Sequence, residues 1–91
     1  MTTIYAKDPN ANLDYGWDWS AWLAPGDTIV SHSIIIDSGD VILGTHSNTT
    51  TTVTAWFSGG TVDTQATVTA RITTAQGRID DRSIILSVED L

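Results

Sequence analysis

From residue 66 to residue 73 the chain alternates without a break. Ala66, Val68, Ala70 and Ile72 fall on one face of an extended segment, and Thr67, Thr69, Arg71 and Thr73 on the other. A period of two puts one face in a core and the other in water. Ile84, Leu86 and Val88 repeat the pattern against Ser83, Ile85 and Ser87. Between the two segments TAQGR offers Gly77 for a positive φ at a hairpin tip, so the strands are expected to pair antiparallel. Ile79 is out of phase with Ile84, which predicts a β-bulge within DDRS.

The first half reads less regularly. APGDT, residues 24 to 28, is a turn: Pro25 is preset for its second position, Gly26 is free to take positive φ, and Asp27 can accept from nearby amides. In the strand that follows, TIVSHSIII, Val30, His32, Ile34 and Ile36 share one parity. DSGD turns the chain, VILGT forms a shorter strand ending at the polar HSN, and Thr50 to Phe57 form another that ends at SGGT. LDYGWDW opens the series. About seven strands spaced by turn signals predict an all-β chain, a single immunoglobulin-like antiparallel β-sandwich, with a small barrel as the alternative. Residues 1–12 are expected as an extended N-terminal arm and 13–91 as the sandwich.

Three of the four tryptophans lie between residues 17 and 22. Alternation puts Leu13, Tyr15, Trp17 and Trp19 on one face and Asp14, Gly16 and Asp18 on the other, and the carboxylates mark the wet side. Tyr15, Trp17 and Trp19 are therefore core anchors, with the indoles set against the small side chains of Ala66, Val68 and Ala70. Trp22 is out of phase with Trp19. It either lids one end of the sandwich or makes a contact with another subunit, where aromatic anchors are enriched. Trp56 has the parity opposite to Val53, Ala55 and Phe57 and is placed, with Trp22, outside the core.

Composition narrows the function. Eleven acidic residues against four basic ones give a net charge of −7, which repels nucleic-acid backbones. With no cysteine, neither disulfides nor thiolate metal sites can reinforce the fold. No apolar run reaches the ~20 residues of a membrane span, and the first residues lack the pattern of a signal peptide. The expected product is soluble and cytoplasmic until assembly.

Candidate chemistry is sparse. Asp37 with Asp40, and Asp80 with Asp81, are carboxylate pairs, but calcium takes six to eight oxygen ligands and Asp and Gly suit a DSGD turn on geometry alone. Asp80 and Asp81 are read as solvated, with Arg78 or Arg82 nearby. His32 and His46 have no thiol partner, which disfavours zinc; His32 is read as partly buried with one hydrogen-bonded nitrogen. There is no GxSxG, and Gly59 and Gly60 lack the lysine of a phosphate loop. No catalytic residue, cofactor or metal is expected.

Several stretches carry a resemblance. KDP at Lys7 to Pro9, LDY and DWS.WL within Leu13 to Leu23, GDTI at Gly26 to Ile29, W.SGGT at Trp56 to Thr61 and RITT..GR.DDRSI at Arg71 to Ile84 are similar to a family of small virion proteins of tailed bacteriophages. The likeness covers about residues 7 to 88. It implies a single immunoglobulin-like structural module, sometimes described as a fibre-to-tail adaptor. Where relatives often carry an aromatic residue two positions before the core valine, this chain has Ala66, and Trp17 or Trp19 is expected to fill the space in place of a tyrosine corner.

The resemblance implies a non-enzymatic virion component joining tail or neck to fibres, in several copies within a symmetric assembly. Its partners would be other virion proteins, whether tail, neck, fibre or capsid subunits, with no nucleic acid and no membrane. A capsid decoration protein is the nearest alternative. A carbohydrate-binding module is the alternative from another class, since exposed tryptophans can stack on sugars. The arm is expected to be mobile alone and to order on a neighbour by edge pairing. Tyr5, Asp8, Pro9, Trp22 and Trp56 are the candidate partner interface.

Overall fold

β-Branched residues in alternation favour the pleated conformation over the helix, and the computed structural model, which describes residues 3–90, is built on them. Its strands are β1 (Thr3–Lys7), β2 (Leu13–Asp18), β3 (Ile29–Ser38), β4 (Val41–Asn48), β5 (Thr52–Gly59), β6 (Gln65–Thr74) and β7 (Ile79–Val88). They form a four-stranded sheet, in the order β1-β7-β6-β3, and a three-stranded sheet, β2-β5-β4. The chain crosses between sheets after β1, β2, β3 and β5, the connectivity of an immunoglobulin-like sandwich. β1 runs parallel to β7; the other pairs are antiparallel.

The core lies between the sheets. Trp17, Trp19, Val53 and Phe57 meet Val68, Ile72, Leu86 and Val88, all buried, and burying each aliphatic or Phe side chain stabilises by about 1.5–3 kcal/mol. Tyr15, Trp17 and Trp19 are 8, 5 and 0% exposed, as the parity of the first tryptophan cluster requires. Beside Ala66 the space is taken by backbone. Gly39, at φ 96°, approaches so closely that a Cβ there would stand 2.5 Å from the Ala66 Cβ, so the β3–β4 turn, rather than an indole, packs on the small residue.

Several expectations are corrected. β6 and β7 pair in unbroken register from Gln65 opposite Ser87 to Thr73 opposite Ile79. The DDRS bulge is absent, and Ile79 points outward, 65% exposed. The shift occurs instead in β3, between Ile29 and Ser31: Ile29 turns into the core and Val30, expected inside, is exposed. HSN does not break a strand, because β4 runs on to Asn48 through a shift between Leu43 and His46. Leu13 shares the parity of Tyr15 but sits at the strand's start and is exposed. On the outer face of β6 Thr69 is buried, its hydroxyl bonded to the Asp37 carboxylate and the Ser83 hydroxyl.

The largest correction concerns the arm. Met1 and Thr2 lie outside the described residues, but Thr3–Lys7 are β1, paired along β7 from Thr3 opposite Ile84 to Lys7 opposite Val88. The edge pairing expected with a neighbour is made within the chain. Its anchor is Lys7, fully buried, whose ammonium donates to the carbonyls of Gly59 at 2.7 Å and Asp8 at 2.9 Å. A buried ammonium is tolerated only when its protons are bonded. Burial lowers its pKa and the Asp8 charge opposes that shift.

Candidate interaction surface

The five candidate interface residues do not form one patch. Tyr5 stands on the inner side of edge strand β1, its ring 5.3 Å from that of Tyr15, and it closes one open side of the sandwich while staying 39% exposed. Asp8 and Pro9 follow in the turn at the Val88 end of β7. There the Asp8 carboxylate accepts from the Asn10 amide at 2.8 Å and the Asp8 carbonyl from the Ala11 amide at 3.0 Å. Trp22 is at the other end of β7, half-buried against the core, with the Arg78 guanidinium 5.3 Å from its ring centroid. It lids that end of the sandwich.

Trp56 stands apart from the other four. It lies on the outer face of the three-stranded sheet, in the central strand, 39% exposed, while its neighbours Val53, Ala55 and Phe57 are fully buried beneath it. Asp14 is directly opposite on β2. On the β4 side, Gly44 brings backbone alone: a Cβ there would be 3.4 Å from the Trp56 carbonyl oxygen. Ile42, 62% exposed, extends the apolar surface. Asp14 and Asp18 supply charge, and β2, β4 and β5 contain no lysine or arginine. This face is apolar at its centre and acidic at its rim.

Other side chains singled out from sequence have structural partners. Asp37 bonds Thr69 on β6 and Asp40 bonds the Thr61 hydroxyl and amide in the loop before β6, so the two carboxylates of DSGD are directed to different places. The Thr61 hydroxyl bond is the main reason the Asp40 pKa is lowered. Asp81 pairs bidentately with Arg71, at 2.8 and 2.9 Å, and not with Arg78 or Arg82. Hydrogen bonding and charge from Arg71 lower the Asp81 pKa. Asp80 is not simply solvated, because it accepts from the Trp19 indole at 2.8 Å. Both ring nitrogens of His32 are bonded, to Asn48 Oδ1 at 2.6 Å and to His46 Nδ1 at 2.8 Å. This seam joins β3 to β4 and closes the second open side of the sandwich.

A groove of about 540 Å³ runs between β2 and the β1–β7 edge, lined by Tyr5, Gly16, Trp17, Asp18, Arg82 and Ile84 among others. Its charged groups are largely engaged: Arg82 donates to the Asp18 carbonyl at 2.7 Å, and the Asp18 carboxylate accepts from the Ser20 amide, which lowers its pKa. Among the described residues no three histidine or carboxylate side chains gather as metal ligands, and no helix is long and apolar enough to cross a membrane.

Fold and surfaces together define an immunoglobulin-like β-sandwich module whose distinctive features are its sheet faces and strand edges. The sequence model of one family, described as podophage GP4 fiber-tail adaptor protein gp77, matches residues 7–87, from the buried Lys7 to the penultimate residue of β7. The chain belongs to that family. No curated protein matches it.

Proposed function

We propose that the chain is a non-enzymatic virion adaptor that joins tail or neck to fibres through protein–protein contacts, in several copies around a symmetric junction. The observation that carries this reading is the family match over residues 7–87, which spans β2 to β7 nearly whole. The net charge of −7 supports contact with proteins over contact with nucleic acid. The contact surface proposed is the Trp56 face, with the exposed rims of Tyr5 and Trp22 and the Asp8–Pro9 turn contributing at the two ends. An aromatic-centred face suits a protein partner. A sugar platform would call for a second coplanar exposed aromatic, and Trp56 is the only aromatic residue of β2, β4 and β5 that faces outward among the described residues.

The test is to purify particles from infections with and without the chain. The expected result is that the chain is present at a fixed copy number and that particles made without it keep their capsid and DNA but lose their fibres. Particles that retain a full set of fibres without it would overturn the reading.

A further inference from the structure

Every lysine and arginine of this chain is already in use. Lys7 holds the carbonyls of Asp8 and Gly59. Arg71 is paired with Asp81, Arg78 lies over Trp22, and Arg82 lies over Trp19 at 5.0 Å with its Nε 3.6 Å from Asp80. These are all four lysines and arginines of the sequence.

The Trp19, Asp80 and Arg82 trio shows what the chain does with an indole beside a carboxylate: it lays a guanidinium over the ring with its Nε turned toward the carboxylate. Trp56 and Asp14 present the same two groups without the third. They are directly opposed in an antiparallel pair, so their side chains share one face with Cβ atoms about 4.5–5.5 Å apart. Among the described residues no cation lies over Trp56 and no ion pair engages Asp14. Gly16 and Gly44, the neighbours on either side, raise no side-chain wall, and exposed Ile42 offers apolar surface for a methylene stem.

We propose that Trp56 and Asp14 form a seat for an arginine side chain of a virion partner; the partner's identity as a virion protein rests on the adaptor reading above. Arginine fits better than lysine because its planar guanidinium stacks on an indole while forking onto a carboxylate. A face with exposed carboxylates and no basic residue also repels acidic partners, including other copies of this chain presenting the same face.

The experiment uses the full chain in assembling particles. Incorporation of Trp56→Ala, Trp56→Phe, Asp14→Lys and Asp14→Glu is measured by quantitative mass spectrometry, alongside melting of each purified variant. In parallel, a photoreactive benzoylphenylalanine at position 56 is crosslinked in intact particles and the attached peptide is sequenced.

Trp56→Ala and Asp14→Lys are expected to lower incorporation at least tenfold without lowering the melting temperature to match, Trp56→Phe and Asp14→Glu to retain most of it, and the crosslinked segment to contain an arginine near the attachment point. Incorporation of Trp56→Ala and Asp14→Lys at the wild-type level, or a crosslink to a glycan or to a segment without a basic residue, would overturn the cation seat and leave the adaptor reading standing. Absence of the wild-type chain from purified particles would overturn both.

Discussion

The indole N–H of Trp19 donates to the Asp80 carboxylate across 2.8 Å, and the Arg82 guanidinium covers the same ring at 5.0 Å from its centroid. Trp19 follows the last residue of β2 and Asp80 is the second of β7, so the bond ties one sheet to the other. The ring itself is fully buried. Trp19→Ala should destabilise the domain by about 3–5 kcal/mol, the cost of emptying a large aromatic site. Trp19→Phe keeps most of the ring but loses the donor and should cost less. Urea unfolding of both variants checks this, and a loss under about 1 kcal/mol for the alanine would contradict the burial of the ring.

Lys7→Met preserves the length of a buried stem and removes its ammonium. The Gly59 and Asp8 carbonyls then lose a charged donor, so the variant should be less stable by about 1–3 kcal/mol. If Lys7→Met melts at the wild-type temperature, the ammonium is not what fastens β1 to the β5 end.

Deleting residues 1–7 removes β1 with its Lys7 bonds and the Tyr5–Tyr15 ring pair, itself worth about 0.5–1.5 kcal/mol. The shortened chain should melt several degrees lower and self-associate, because β7 becomes an uncovered edge. A truncated protein as stable and monomeric as the full chain would show that β1 is dispensable to the fold.

How much of this was legible follows from what period-two alternation can register. β6 and the Ile84–Val88 half of β7 read cleanly because both run straight through the four-stranded sheet, where the apolar alternation matches the inward face. The indoles of Trp17 and Trp19 were placed by the same rule, with Asp14 and Asp18 marking the wet side. Ile79 reads as a bulge because alternation alone does not separate an exposed apolar residue from a shift of register, and Val30 reads as core because a real bulge leaves no polar marker. The arm was misjudged for a different reason. Its apolar content is small, and nothing in a lone lysine announces that its ammonium will be buried against carbonyls 52 residues away. The Lys-Asp-Pro match was the available signal. The Trp56–Asp14 pairing needed the β2–β5 register, which depends on long-range contacts that no local pattern encodes.

Asp27 should make the fold acid-sensitive. It is 6% exposed, in the turn before β3, and one carboxylate oxygen accepts from the amides of Thr28 at 2.9 Å and Gln76 at 3.0 Å. It thereby ties that turn to the β6–β7 hairpin. Burial disfavours its charge, but the Thr74 side chain, the two amides and Arg78 outweigh that, and its pKa is lowered. A carboxyl whose pKa is lower folded than unfolded binds more protons in the unfolded state. Its contribution is complete above the unfolded value of about 3.9 and is lost as pH falls through the folded value. Urea midpoints should therefore hold between pH 8 and 5 and decline below about pH 4. Asp27→Asn removes the charged acceptor, so the variant should be less stable than wild type at pH 6, with the two curves converging as pH falls below the unfolded value and the native carboxyl protonates. A variant that starts at wild-type stability, or loses stability in acid as steeply as wild type, would mean that the acid sensitivity arises elsewhere. The remaining candidates are then Asp18, Asp40 and Asp81, whose pKa values are also lowered.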